Sequence, residues 1–181
     1  MKPACNIELK ARVHNLAAAR TIAQRLATAY LGVQHQTDTY FHCPQGRLKL
    51  REIVEDDSHP GEPPRRLAQL IRYERPDEPD AKQSDYQLIE ISDPDRVTAL
   101  KREMGIRGIV SKRREIFLHQ NVRIHLDEVS NLGTFIEFES VLGHQVDAAA
   151  GRAQVAHLQI EFGIERVDLL SSSYADLLLA K

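Results

Sequence analysis

The chain has 181 residues, of which 42% are hydrophobic and 28% charged, and its formal net charge is -2. This length suits one domain with a substantial core, and the charge balance argues against a general nucleic-acid-binding protein, which is usually strongly basic. Cys5 and Cys43 lack the spacing of a metal site or of a disulfide framework, so we expect free thiols. Neither a signal pattern nor an apolar run of membrane-spanning length is evident, which predicts a cytoplasmic protein without a membrane partner.

The first half of the chain predicts several strands and one helix. In "NIELKAR" polar and apolar residues alternate, as in a half-buried strand that we place at 6–13. A helix follows, with Asn15 as its N-cap and Gly32 as its end. Further strands are predicted at 35–42, 47–53, 67–76 and 85–91, and polar loops at 55–66 and 77–84.

The second half predicts a helix, three strands and two closing helices. Asp93 can cap the first helix, with Pro94 in its first turn and Gly105 at its end. The strands are placed at 109–118, 122–129 and 134–142, and the last helices at 147–163 and 172–181. About eight strands with helices between and after them predict an α+β domain built on a curved antiparallel sheet or a closed barrel.

Several predicted strands carry charge on one face. The polar face of "RLKLR" is entirely basic, whereas Glu137 and Glu139 share a face of "GTFIEFESV". Such faces can simply be the solvated side of a sheet. However, the two signs of charge are segregated by strand, and the opposite faces carry large aliphatic side chains that the predicted helices can cover from outside. We therefore expect the polar faces to point inward or into an open concavity.

A cavity lined in this way would bind a polyanion together with a metal ion. Arginine can donate two hydrogen bonds to phosphate oxygens, and Mg²⁺ or Mn²⁺ prefers oxygen ligands and bridges carboxylates to phosphates. The basic candidates for phosphate are Lys10, Arg47, Lys49, Arg51, Lys112, Arg114 and Arg123. The acidic candidates for metal are Glu8, Asp127, Glu137 and Glu139.

These residues occur in a pattern that resembles the CYTH superfamily, named for class IV adenylyl cyclases and thiamine triphosphatases and also called triphosphate tunnel metalloenzymes. "NIELKAR" is similar to the ExExK-type first strand of that family. The likeness continues in family order through "QTDTYF", "GRLKLRE", "SKRREIFL", "RIHLDEVSNLGTFIEFE" and "SSYADLL". It spans nearly the whole chain, so we expect residues 1–181 to form a single CYTH-like domain.

The resemblance implies an eight-stranded antiparallel β-barrel, the triphosphate tunnel, with helices packed on its outside. It implies one or two Mg²⁺ or Mn²⁺ ions on the four acids and phosphate contacts from the seven basic residues. Arg72 joins this set because Glu74 stands where many members have a lysine, and Arg72 or neighbouring Arg75 could replace that charge. We assign the catalytic roles to Lys10, Arg114 and Glu137.

"DEVSNLGTFIE" and "SY.DLL" look closest to the class IV cyclase branch, which implies conversion of ATP to cyclic AMP and pyrophosphate. The first alternative is hydrolysis of inorganic (tripolyphosphate), thiamine or nucleoside triphosphate. The second is a non-catalytic polyanion-binding module, because Asn6 replaces the first acid of the ExExK motif and Glu74 replaces the lysine of many members. Members of this branch are often dimers, so a homodimer is allowed, and no nucleic-acid partner is expected. His125 could relay protons, or could simply be hydrogen-bonded within a polar lining.

Overall fold

Eight antiparallel strands close into a barrel in the computed structural model, which describes residues 4–56 and 64–180. The strands are β1 (Ala4–Arg12), β2 (Ala29–Phe41), β3 (Arg47–Glu55), β4 (Arg66–Glu74), β5 (Lys82–Ile91), β6 (Ile106–His119), β7 (Val122–Val129) and β8 (Gly133–Val141). Around the barrel they follow the order β1-β5-β4-β3-β2-β6-β7-β8. The predicted antiparallel barrel is confirmed. Most of the predicted loop at 55–66 lies outside the described residues.

Four α-helices accompany the barrel in the described part of the chain: α1 (Leu16–Leu26), α2 (Pro94–Glu103), α3 (Ala148–Glu161) and α4 (Tyr174–Leu179). The predicted caps are confirmed, since the Asn15 side chain accepts a hydrogen bond from Ala18 N and Asp93 from Asp95 N. A short 3₁₀ turn, Arg166–Asp168, precedes α4. None of the described helices has the length and apolar composition needed to cross a bilayer.

The main error in the predicted elements concerns the end of the first helix. Helix α1 stops at Leu26, and the chain enters β2 at Ala29, six residues before the predicted strand. Gly32 lies inside β2, with φ 88° at a shift in the register between β2 and β6. A positive φ is costly for residues with a Cβ, so this glycine serves a bulge instead of a helix end.

The apolar faces of the strands point outward and are covered by helices. Ile7 and Leu9 of β1 pack with Val155 and Leu158 of α3, in a cluster that also includes residues of α1, β7 and β8. A second outer cluster joins Leu50 of β3 to α2. Because the helices cover the outside, alternation along each strand turns the opposite, polar faces toward the interior of the barrel.

Candidate active site

The interior of the barrel contains a cavity of about 380 Å³. Its lining includes charged side chains from six of the eight strands, counting Arg75, which directly follows β4. The cationic ones are Lys10, Lys49, Arg51, Arg75, Lys112, Arg114 and Arg123, and the acidic ones are Glu8, Glu137 and Glu139. The charged faces predicted from the sequence therefore meet in one cavity.

One end of the barrel interior is filled by apolar side chains. Val110, Val129 and Phe135 point inward and pack with Tyr174 at the start of α4. Ser173 caps α4 in a capping box with Asp176, which fixes the entry of this helix. Tyr174 also borders the cavity, where the Lys10 Nζ atom lies 4.2 Å from the centre of its ring. Helix α4 thus forms the base on which the charged cavity is built.

The mixed charge of the first strand is explained by its neighbour β8. Lys10 lies directly opposite Glu137, and Glu8 lies opposite Glu139. Lys10 Nζ is 3.1 Å from Glu137 Oε1. Directly opposed side chains on one face are close enough for such an ion pair, so the alternating acid and base of β1 match the charges facing them.

Arg114 is held by two carboxylates. Its guanidinium donates to both oxygens of Asp127, at 2.7 and 2.6 Å, and to Glu137 Oε2 at 2.6 Å. Tyr174 also donates to Asp127, at 2.9 Å. Asp127 is fully buried behind the cavity lining, so its predicted place among the metal ligands does not fit its position. It orients Arg114 instead. Burial alone would raise the pKa of Asp127, but the charges of Arg114 and Lys112 outweigh this effect and hold that pKa below the ordinary value.

Asp38 organises a second group of cations. Arg51 donates to its two oxygens at 2.7 and 2.8 Å, and Lys49 donates to it at 3.0 Å. Despite its burial, these cations hold the pKa of Asp38 well below the ordinary value. Burial and neighbouring Arg51 lower the pKa of Lys49 to about 8, against the opposing effect of Asp38.

Three potential metal ligands lie together on β7 and β8. One ligand atom from each of His125, Glu137 and Glu139 lies within 4.8 Å of the others. Lys10 and Arg114 overcome the effect of burial and keep the pKa of Glu137 well below its ordinary value, so its carboxylate is charged. The buried Nδ1 atom of His125 lacks a hydrogen-bond partner among the described residues. This donor set fits a divalent cation.

Glu8 is engaged by an arginine that the sequence analysis named only as an alternative. Arg75 Nη1 lies 3.1 Å from Glu8 Oε1, and the Arg75 side chain is 2% exposed. Burial and the nearby charge of Glu137 raise the pKa of Glu8. Together with the amide of Asn6, this ion pair leaves the β1 side of the cavity less suited to a cation than the β8 side.

Two residues assigned to phosphate lie elsewhere. Arg72 is on the outer face of β4, where its side chain is 52% exposed and 3.7 Å from that of Glu74, so it cannot line the cavity. Arg47 pairs with Asp77 at 2.6 Å and borders a separate cavity of about 180 Å³ with Arg107. Arg123 does line the main cavity, 3.5 Å from Glu139 Oε2.

Known structures share this fold. PH1012 from Pyrococcus horikoshii OT3 is 23% identical with a TM-score of 0.75, covering 95% of this chain and 98% of that one. A Vibrio parahaemolyticus protein provisionally named an adenylate cyclase is 21% identical with a TM-score of 0.74, covering 96% and 97%. A Hippeastrum protein described as revealing a dominant triphosphatase activity is 15% identical with a TM-score of 0.67, covering 97% and 95%. These likenesses show the fold.

No curated protein sequence matches the chain. The sequence profile of the CYTH domain matches residues 4–174, which include all eight strands of the barrel and reach Tyr174 at its base. This match spans the great majority of the chain, and the closed barrel agrees with it. The chain belongs to the CYTH domain family.

Proposed function

We propose that this chain binds the triphosphate group of ATP inside the barrel and converts ATP to cyclic AMP and pyrophosphate with the help of a divalent metal ion. The observation that carries the proposal is the meeting of seven cationic side chains with the His125, Glu137 and Glu139 cluster in one cavity. A triphosphate brings several negative charges, and a metal ion bridges its oxygens to carboxylates.

The cations are arranged to contact several phosphate groups at once. Lys49 and Arg51 lie around Asp38, while Lys112 Nζ lies between Asp38 and Asp127, 3.8 and 3.9 Å from their nearest oxygens. These ion pairs hold the side chains in place before substrate arrives. Lysine and arginine carry more than one N–H donor, so donors remain for phosphate oxygens.

We place the reacting centre at the Glu137 end of this array. Glu137, Glu139 and His125 would hold the metal ion, which when bound supplies Lewis-acid stabilisation of charge on phosphoryl oxygens. In the cyclase reaction, the ribose 3′-oxygen bonds to the α-phosphorus as the bond to pyrophosphate breaks and the hydroxyl proton is released. Lys10 and Arg114 would stabilise the charge that develops on the transferring and leaving phosphates.

Hydrolysis of a triphosphate is the second candidate, with water attacking the terminal phosphorus. The same lining serves this reaction. The Hippeastrum protein, which has a similar fold and is described as revealing a dominant triphosphatase activity, supports hydrolysis as a candidate. Binding without turnover is the third candidate, supported by Asn6 and by the Arg75–Glu8 ion pair on the β1 side of the cavity.

Product analysis separates these candidates. The purified chain is incubated with ATP or tripolyphosphate and with Mg²⁺ or Mn²⁺, and cyclic AMP, pyrophosphate and orthophosphate are measured. We expect cyclic AMP and pyrophosphate in equal amounts from ATP. Abundant orthophosphate without cyclic AMP would replace the cyclase by a triphosphatase. Calorimetric binding of tripolyphosphate with none of these products would leave only the binding module.

A further inference from the structure

We propose that His125 is a direct nitrogen ligand of the metal ion and that it makes the site bind Mn²⁺ more tightly than Mg²⁺. This inference rests on the proposed function only in placing a metal ion in the same cavity. It differs from the sequence prediction, which placed Asp127 among the ligands and gave His125 a hydrogen-bonding or proton-relay role.

The register of β7 and β8 brings the three ligands together. His125 lies directly opposite Glu137, while Glu139 is two residues further along the same face of β8. Opposed and diagonal side chains on one face of an antiparallel pair are within reach of one another. Nδ1 of His125 is 3.7 Å from Glu137 Oε2 and 3.9 Å from Glu139 Oε1, distances that leave the nitrogen facing both carboxylates.

These distances are too long for hydrogen bonds, so the contacts within the described residues do not satisfy the imidazole nitrogen. His125 is 4% exposed and lines the cavity. A buried polar atom almost always has a partner, and one that lacks it calls for an explanation such as an ion. A cation held by Glu137 and Glu139 would supply that partner.

Asp127 does not line the cavity and is not one of the grouped ligand atoms. Both of its oxygens accept hydrogen bonds from Arg114, and one also accepts from Tyr174. His125 precedes it by two residues on the same face of β7 and is the side chain that remains directed at Glu137 and Glu139. The strand therefore contributes its imidazole to the metal and its carboxylate to Arg114.

The donor set carries the selectivity. Mg²⁺ is a hard ion that prefers oxygen ligands and retains its waters, whereas imidazole suits the first-row transition ions. One nitrogen with two carboxylates thus favours Mn²⁺ over Mg²⁺ relative to a site made of carboxylates alone. Arg114, Lys10 and Arg123 also face these ligands, so bound polyphosphate should strengthen metal binding by offsetting their charge.

Pulsed electron paramagnetic resonance of bound Mn²⁺ tests the ligand. The full chain is prepared with natural and ¹⁵N-labelled histidine and loaded with Mn²⁺, with and without tripolyphosphate. We expect an imidazole nitrogen coupling that changes with the label and is absent from His125→Asn. His157→Asn, which alters an exposed histidine of α3, should retain the coupling. Bound Mn²⁺ without an imidazole coupling, or a coupling that survives His125→Asn, would overturn the proposal.

Calorimetry tests the selectivity. His125→Asn should weaken Mn²⁺ binding by at least about tenfold, because losing even a residue that only orients a metal ligand weakens metal binding by that factor. Mg²⁺ binding should change far less. His125→Gln is a second variant if the first does not fold. Equal losses for both ions would overturn the selectivity. A nitrogen coupling without product from any triphosphate would refute the proposed function and leave this inference standing, whereas a chain that binds no Mn²⁺ would refute both.

Discussion

At the scale of single residues, Glu137 is the point at which the site's interactions converge. One carboxylate oxygen is paired with Lys10, and the other accepts from Arg114 and faces His125. A side chain so engaged fixes the positions of two cations and one potential metal ligand. Replacing it should therefore affect chemistry far more than folding, because Arg114 keeps its two hydrogen bonds to Asp127.

We expect Glu137→Gln to lower metal-dependent turnover about 100-fold or more, because the amide lacks the charge that holds the metal ion and the two cations. Circular dichroism should show an unchanged fold. The matched control is Glu128→Gln, which removes an exposed carboxylate on the outer face of β7 and should retain activity. Retained turnover in Glu137→Gln would remove Glu137 from the reacting centre.

Strand periodicity alone could predict which residues share a face, but not always which face is inward. In β1 the apolar residues marked the outer face, and Glu8 and Lys10 were placed correctly. In β4 both faces are mixed, and Arg72 was chosen, although the inward side chains are Gln69, Ile71, Tyr73 and, just after the strand, Arg75. A shift of one residue exchanges the two faces completely. Asp127 was assigned to metal from its place on the polar face of its strand, and that pattern could not reveal its partner Tyr174, which lies 47 residues away in the sequence.

The low pKa of Lys49 predicts a pH dependence of phosphate binding. Below about pH 8 the Lys49 side chain is a charged ammonium group that attracts a polyanion. Above this pH it is a neutral amine, which does not. Affinity for tripolyphosphate should therefore fall as pH rises from 7 to 9, and fall less in Lys49→Arg, which stays charged. Some decline should persist in that variant, because burial and Arg114 also lower the pKa of Lys112.

Calorimetry at matched ionic strength checks this prediction. The ratio of the affinities of the wild-type protein and Lys49→Arg at each pH is independent of the titration of the polyphosphate itself, because both proteins bind the same ligand. Identical pH profiles for the wild-type protein and Lys49→Arg would show that Lys49 does not titrate in this range or does not contact the ligand.

At the scale of elements, the helices fix the outer faces of the strands and so direct the charged faces inward. Helix α3 approaches β1 and β8 at Gly151, where an added Cβ would lie 2.8 Å from Leu142, 3.1 Å from Ile7 and 3.2 Å from Ser140. The sequence predicted a helix at 147–163, but it could not predict the close approach. That contact depends on β1 and β8, which are more than 120 residues apart in the sequence, meeting under one helix.

Gly151→Ala should destabilise the protein by about 1 kcal/mol or more, because overpacking outweighs the better helix propensity of alanine. Ile7 is buried and Ser140 is hydrogen-bonded to Gln154, so neither can readily move aside. Denaturant unfolding measures the change. Gly143→Ala is the control, since no atom lies within 4 Å of the added Cβ, and it should be nearly neutral. Equal midpoints for the two variants would show that α3 can shift without cost.

At the scale of the whole molecule, charge is divided between the interior and the outside. The formal net charge of the chain is -2, yet the described cavity lining has seven cations against three carboxylates, with Asp38 and Asp127 behind them. Composition therefore concealed an electropositive interior. Only closure of the barrel brings these cations together. Periodicity left a curved sheet and a closed barrel as alternatives, because it could not reveal the pairing between the first strand, β1, and the last, β8.

Like charges held together in a closed barrel destabilise the fold until an anion enters, so a polyanion should stabilise this protein in proportion to the number of cations that it reaches. At about 100 times its dissociation constant, tripolyphosphate should add about 2.7 kcal/mol to the free energy of unfolding, which corresponds to a rise in Tm of about 5–10 °C for a chain of this size.

Scanning calorimetry with tripolyphosphate, pyrophosphate and orthophosphate at equal concentration and ionic strength measures the effect. We expect the shift to decrease in that order, and to be much smaller for all three in Arg51→Gln. Arg72→Gln changes an outward-facing arginine and is the matched control. It should show the same Tm shifts with the three anions as the wild-type protein. Equal shifts for the three anions would mean that they act on the exterior as ordinary salt, and the charged interior would then have no role in recognising a chain of phosphates.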